Sequence, residues 1–193
     1  MIEGLYKCFD HWHKEGTVWL YSDTHFNEDE DLRRVPFPNR PSAEEQIKMI
    51  NSKVGRKDHL ILLGDVGDIE CARKLRGHKV LIKGNHDGGL SNYEDVFEEV
   101  YGGPLMIGER IILSHEPLDI DWAFNIHGHT HLLSVARPGH LCVCSDVVGY
   151  TPINFNQFVK SGRLKEVTPL HRSTIDKATE RKERRKRNGS KYQ

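Results

Sequence analysis

The chain has 193 residues, with 28 basic and 28 acidic side chains and a formal net charge of zero at neutral pH. That length suits one domain, and 37% hydrophobic against 29% charged residues supports a buried core and excludes wholesale disorder. No run of about 18 apolar residues occurs, and residues 1–14 mix charges and histidines with no apolar signal-peptide core, so the sequence reads as soluble and cytoplasmic, with no membrane partner.

Residues 17–22 (TVWLYS) are apolar, β-branched and aromatic, and end at a polar cluster, which predicts a first buried strand. A polar, proline-punctuated loop covers residues 26–41. Residues 42–54 predict a helix, because Ser42 and Glu45 form a capping box and Ile47, Ile50 and Val54 recur at helical spacing. Two more strands are predicted at 59–63 and 79–83, separated by the short helical spacing of 69–75. That βαβαβ rhythm implies parallel strands. From Leu105 the pattern changes to short, closely spaced runs at 105–107, 110–113, 123–126, 132–136 and 140–144, predicting a second sheet, mixed or antiparallel. A helix at 154–161 and a strand at 164–167 complete the pattern. No internal repeat is present.

Residues 172–193 form a different zone. Nine Lys/Arg stand there against Asp176, Glu180 and Glu183, net +6, which leaves −6 for residues 1–171. With few large apolar residues, this tail cannot bury enough surface to offset its ordering entropy. The expected organisation is a domain at 1–171 followed by a basic tail, flexible or helical.

The polar residues that interrupt the strands fall at strand ends. Asp23 and His25 follow the first strand, Gly64-Asp65 the second and Gly84-Asn85-His86-Asp87 the third; His115 and the segment His127-Gly128-His129-Thr130-His131 follow strands of the second set. In an open α/β sheet the carboxyl ends of the strands are where ligands bind, so these clusters are expected to share one crevice. Imidazole, carboxylate and amide oxygen suit borderline divalent metals, and a carboxylate can bridge two ions. Asp23, His25, Asp65, Asn85, His115, His129 and His131 are too many ligands for one four-coordinate ion. Two ions sharing an aspartate fit better, about 3.5–4 Å apart, a spacing suited to clamping a phosphoryl displacement and activating water.

These residues resemble the calcineurin-like metallophosphoesterases, whose motifs run D-x-H, G-D-x-x-D, G-N-H-D, an isolated H and G-H-x-H. All occur in order: Asp23-Thr24-His25, Gly64-Asp65-Val66-Gly67-Asp68, Gly84-Asn85-His86-Asp87, His115 and Gly128-His129-Thr130-His131. The resemblance covers residues 18–148 and is strongest to small, uncapped prokaryotic and phage-type members, with Asn39-Arg40-Pro41 before the first helix. It implies an α/β fold, a four-layer α/β/β/α sandwich of two mixed β-sheets flanked by helices. It implies that Asp23, His25 and His131 hold one metal and Asn85, His115 and His129 the other, with Asp65 bridging. His86 takes the position of the family's catalytic histidine, which protonates the leaving alkoxide or stabilises phosphoryl charge, with Asp68 or Asp87 to orient it. Arg40, ahead of Arg33 and Arg34, is expected to contact the phosphate.

The expected activity is therefore hydrolysis of phosphate esters by a metal-activated water, with manganese first and iron, zinc or nickel as further choices. The alternative within this class is a nuclease or nucleic-acid end phosphatase that binds through the basic tail. Plainer readings apply elsewhere. His11, His13, His59, His78, His140 and His171 read as surface or satisfied core residues, and His127 as a neighbour of the metal set. Asp68 can equally be a helix cap. Cys142 and Cys144 read as small buried hydrophobes, and all four cysteines as reduced thiols.

Overall fold

The computed structural model describes residues 5–28, 40–131 and 136–189. In chain order its elements are β1 (Val18–Tyr21), α1 (Ala43–Lys53), β2 (His59–Leu62), α2 (Ile69–Arg73), β3 (His78–Ile82), β4 (Glu99–Tyr101), β5 (Leu105–Gly108), β6 (Ile111–Ser114), β7 (Phe124–His127), β8 (His140–Cys142), β9 (Ile153–Asn154), α3 (Phe155–Lys160) and α4 (Leu170–Gly189). Short 3-10 turns occupy Lys7–His13, Leu90–Asn92 and Arg163–Glu166.

Two mixed sheets result. The first has the order β4-β3-β2-β1-β9, the second β5-β6-β7-β8. In the first, β1 to β4 are parallel and β9 runs antiparallel to β1; in the second, β5 is antiparallel to β6 while β6, β7 and β8 are parallel. The first sheet is buried on both faces, which explains its continuous apolar runs. Alternation sorts the side chains: Leu20, Ile61 and Val80 pack with Ile111, Leu113, Phe124 and Ile126 of the second sheet. Tyr21, Leu60, Leu62 and Leu81 turn the other way onto Ile47 and Ile50 of α1, onto Val54 just after it, and onto Cys71 and Ala72 of α2. Helix α3 adds Phe155 and Phe158 to the core between the sheets. The capping box at Ser42 and Glu45 is present as expected.

Three expectations are corrected or bounded. Residues 164–167 are not a strand; Gly162 turns the chain at φ 81° and the segment is a 3-10 turn. Polar contacts fix it there: Glu166 accepts the Gly139 N–H at 2.8 Å and Arg163 donates to the His140 carbonyl at 2.7 Å. The edge strands β4 and β9 carry too little apolar pattern (EVY and IN) to be read from sequence. The strand expected at 132–136 falls almost entirely outside the described residues. The tail is helical through Gly189, with Leu170 and Ile175 left 53% and 44% exposed, so it lacks a buried apolar face. No helix among the described residues is long and apolar enough to cross a membrane.

Candidate dinuclear metal site

The parallel strands deliver their carboxyl ends to one edge of the two sheets, and an isolated bridge between Ser22 and Cys144 ties the sheets together there. The chain leaves each strand in a sharp turn. Asp23, His25, Asp65, His129 and His131 all have positive φ, between 39° and 69°. That conformation costs a non-glycine residue on the order of 1–3 kcal/mol and persists only where the surroundings over-determine it, as they do at ligand clamps. The turns also pack backbone against ligand. A Cβ on Gly84 would collide with the Asp65 carboxylate, and one on Gly128 with the Ser22 hydroxyl and the Asp23 carboxylate.

All seven expected ligands meet. On one side, Asp23 Oδ1 lies 3.4 Å from His131 Nε2 and 3.8 Å from His25 Nε2, and His25 Nε2 lies 3.5 Å from Asp65 Oδ2. On the other, His115 Nε2 is 3.3 Å from the same Asp65 Oδ2, 2.8 Å from Asn85 Oδ1 and 3.1 Å from His129 Nδ1. Asn85 Oδ1 and His129 Nδ1 are 3.0 Å apart. Two ligand sets therefore share one carboxylate oxygen. Asp23 Oδ1 and His25 Nε2 are buried without a hydrogen-bond partner among the described residues, a state that costs free energy unless a cation takes up the lone pairs. The donor set and these orphaned atoms fit a pair of divalent ions.

Five of the seven expected ligands are held from behind. Asp65 Oδ1 accepts the His86 N–H at 3.0 Å, leaving Oδ2 for the shared position. Asp23 Oδ2 accepts from Ser22 Oγ at 2.5 Å, from the His129 N–H at 2.9 Å and from Cys144 Sγ at 3.2 Å. The far nitrogens of the imidazoles are engaged too: His25 Nδ1 by Glu28 at 2.8 Å, His115 Nδ1 by the Leu63 carbonyl at 2.8 Å, and His131 Nδ1 by Asp146 at 3.0 Å. Such outer contacts fix tautomer and ring orientation.

Titration follows from this crowding. Burial pushes Asp65 up, but hydrogen bonding to His115 and to the His86 N–H outweighs it and holds the carboxyl below its usual range. Burial lowers His115, yet the hydrogen bond to Asp65 and the Asp23 charge win and raise it to about 9. His131 is raised as well, with burial opposed by Asp146 and Asp23.

His86 is exposed at the mouth, its ring 5.5 Å from that of His25 in an edge-on arrangement. Its expected orienters do other work. Asp68 caps α2 by accepting the Glu70 N–H at 2.9 Å and also accepts from Asn27 at 2.7 Å, so the capping reading is the correct one. Asp87 is buried and accepts the N–H groups of Asp65, Val66 and Gly84 together with the Tyr93 hydroxyl. Arg40 has a structural contact that the sequence did not predict: its Nη2 donates to the carbonyls of Thr24 and His25 at 2.8 and 2.7 Å, clasping the ligand loop, while its Nη1 is buried with no hydrogen-bond partner among the described residues. Arg33 and Arg34 lie outside the described residues.

His127 stays out of the ligand set, with Nδ1 on the Gly128 carbonyl at 2.9 Å and its pKa lowered by burial. Cys144 is buried as expected but is more than filler. Its sulfur lies with ligand atoms of Asp23 and His131 within 4.8 Å, and burial pushes its thiol pKa up. Sequence reasoning missed the contacts of Glu28, Asp146 and Cys144, which belong to no motif; only the carboxylate three residues after His25 is signalled by spacing.

No family model matches the chain, and no curated protein matches it. A solved structure does: that of AQ665 from Aquifex aeolicus, a protein of unknown function, superposes with a TM-score of 0.62 at 24% identity, covering 75% of this chain and 98% of that one. At that identity the likeness shows the fold alone. The class is a mixed α/β protein of two mixed sheets flanked by helices, with a histidine- and carboxylate-lined crevice at the strand ends.

Proposed function

We propose that the chain is a dinuclear metal-dependent phosphoesterase of the calcineurin-like metallophosphoesterase superfamily, built on the four-layer α/β/β/α sandwich of the metallo-dependent phosphatase fold. The observation that carries the reading is Asp65 Oδ2, 3.5 Å from His25 Nε2 in one ligand set and 3.3 Å from His115 Nε2 in the other. Asp23, His25 and His131 would hold one ion with Asp65, and Asn85, His115 and His129 the second. Mixed nitrogen and oxygen ligation suits manganese first, then iron, zinc or nickel. Two such ions, when bound, supply positive charge to a phosphate ester and lower the pKa of water.

The chain's own groups account for the rest. His86, exposed and beside His25, donates the proton that the leaving alkoxide needs, while its backbone N–H steadies the shared carboxylate. Asn85, His86 and His129 are all exposed, so the crevice is open, which favours a phosphodiester or an exposed phosphate end over an engulfed metabolite. Metal analysis of purified protein, followed by assays of bis-p-nitrophenyl phosphate and p-nitrophenyl phosphate with added manganese, tests this. A protein that retains no divalent ion, or that leaves both esters intact, rules it out.

Helix α4 favours the nuclease or end-phosphatase form of this reading, because Arg172, Lys177, Arg181, Lys182, Arg184 and Arg187 are all exposed along it. Positive charge of this kind binds phosphate backbones in a salt-dependent way. Deleting residues 172–193 is expected to weaken oligonucleotide turnover, most at low salt, and to spare the chromogenic diester; equal effects on both remove this form.

A further inference from the structure

A groove of about 230 Å³ opens beside the Asn85–His115 pair. Lys83 and Glu116 are its two charged lining residues, and the turn at 102–104 forms part of its wall. Its lining thus includes Asn85 and His115 of the second ligand set and neither Asp23 nor His25. Its wall at Gly103 is bare: a Cβ there would meet nothing within 4 Å. Lys83 leaves β3 two residues before Asn85, about 7 Å of extended chain. Among the described residues it makes no ion pair, whereas Nη2 of Arg40 donates to the Thr24 and His25 carbonyls. An ammonium at such a position is a point charge suited to phosphate.

We propose that this groove is a subsite for a second phosphate, one linkage from the scissile one, with Lys83 as its counter-charge; the inference rests on the phosphoesterase reading above. Glu116, exposed in the same groove, repels a phosphate and accepts hydroxyls. A phosphate in the groove is therefore drawn to Lys83, and a hydroxyl of the substrate is the group that Glu116 accepts from. The shared chemistry is a sugar-linked substrate carrying two phosphates, either the end of a nucleic-acid strand or a nucleoside diphosphate ester.

Manganese-reconstituted protein is assayed on bis-p-nitrophenyl phosphate, which has one phosphate, on a 5′-phosphorylated thymidine dinucleotide and on a nucleoside diphosphate ester. Lys83→Met is expected to lower kcat/KM for a two-phosphate substrate relative to the one-phosphate substrate by at least about tenfold, through KM, as befits loss of one charge-assisted contact. Lys83→Arg restores most of the ratio. The substrate whose ratio falls identifies the source of the second phosphate. A ratio unchanged in Lys83→Met, or falling without rescue by arginine, overturns the subsite while leaving the phosphoesterase reading intact. Wild-type protein inert on all three substrates sinks that reading itself, and the subsite with it.

Discussion

Asp87 holds Asp65 from behind: its Oδ2 accepts the Asp65 N–H at 2.9 Å and the Gly84 N–H at 2.8 Å, while Oδ1 accepts the Val66 N–H at 2.9 Å and the Tyr93 hydroxyl at 3.2 Å. One buried carboxylate therefore ties the turn after β2 to the turn after β3. Asn cannot replace it, because its NH2 would confront donors on one side. Asp87→Asn is expected to lose about 1–3 kcal/mol of stability and, by loosening Asp65, about 10–100-fold in metal affinity. Thermal melts with chelator and equilibrium dialysis with manganese read the two effects, and a variant matching the wild type in both contradicts this account.

Asp65 itself divides its labour, with Oδ1 on the His86 N–H at 3.0 Å and Oδ2 between the His25 and His115 imidazoles. Removing it takes a ligand from both sets at once. Asp65→Ala should fall from two bound ions to one or none, a greater loss than the about 10–100-fold of an outer contact, and turnover should fall with it. Metal analysis after desalting decides the matter; two retained ions, or undiminished activity, would falsify the bridging role.

His86→Ala separates chemistry from binding. The backbone N–H that steadies Asp65 survives the substitution, so both ions should stay bound while turnover drops by about 10²–10⁴-fold, the range for loss of a general acid. The drop should shrink for a substrate with an acidic leaving group, which needs no proton. A variant that loses its metal, or that keeps full activity toward an alkyl ester, removes His86 from the proposed role.

Much of this arrangement was legible in the sequence because parallel strands impose it. Apolar runs of four or five residues with a polar residue at the end announce both the strand and the edge at which its side chain emerges, and Asp23, Asp65 and His115 follow that rule. What sequence could not supply was the other half of each contact. Asp146 reaches His131 between the loops that follow β7 and β8, and Cys144 reaches Asp23 from one sheet to the other, contacts that exist only in three dimensions. Arg40 and Asp68 show a related limit. A residue near a motif was assigned to substrate or catalysis, while the local backbone also uses its side chain: the Thr24 and His25 carbonyls accept from Arg40, and the Glu70 N–H donates to Asp68. The strands β4 and β9, of three and two residues, lack a readable period.

Metal uptake should be coupled to protons through His115. In the metal-free protein its pKa is raised from 6.5 to about 9, burial being overcome by the hydrogen bond to Asp65 and by the Asp23 charge. Because the folded-state value lies above the unfolded one, the stability this group contributes is present in full below pH 6.5 and is lost as pH rises through about 9. A metal needs the neutral imidazole, so between these limits each ion entering the Asn85, His115 and His129 set displaces a proton, and its affinity climbs with pH. Chelator-treated protein should therefore melt at lower temperature as pH rises across this window, while the manganese-loaded protein resists that loss. Titration calorimetry at neutral pH in buffers of different protonation enthalpy should show proton release that is smaller in His115→Gln, the remainder coming from His131, whose pKa is also raised. Affinity for the second ion that stays flat across the same pH range would mean that His115 is already neutral, and that the Asp65 carboxylate does not hold its proton.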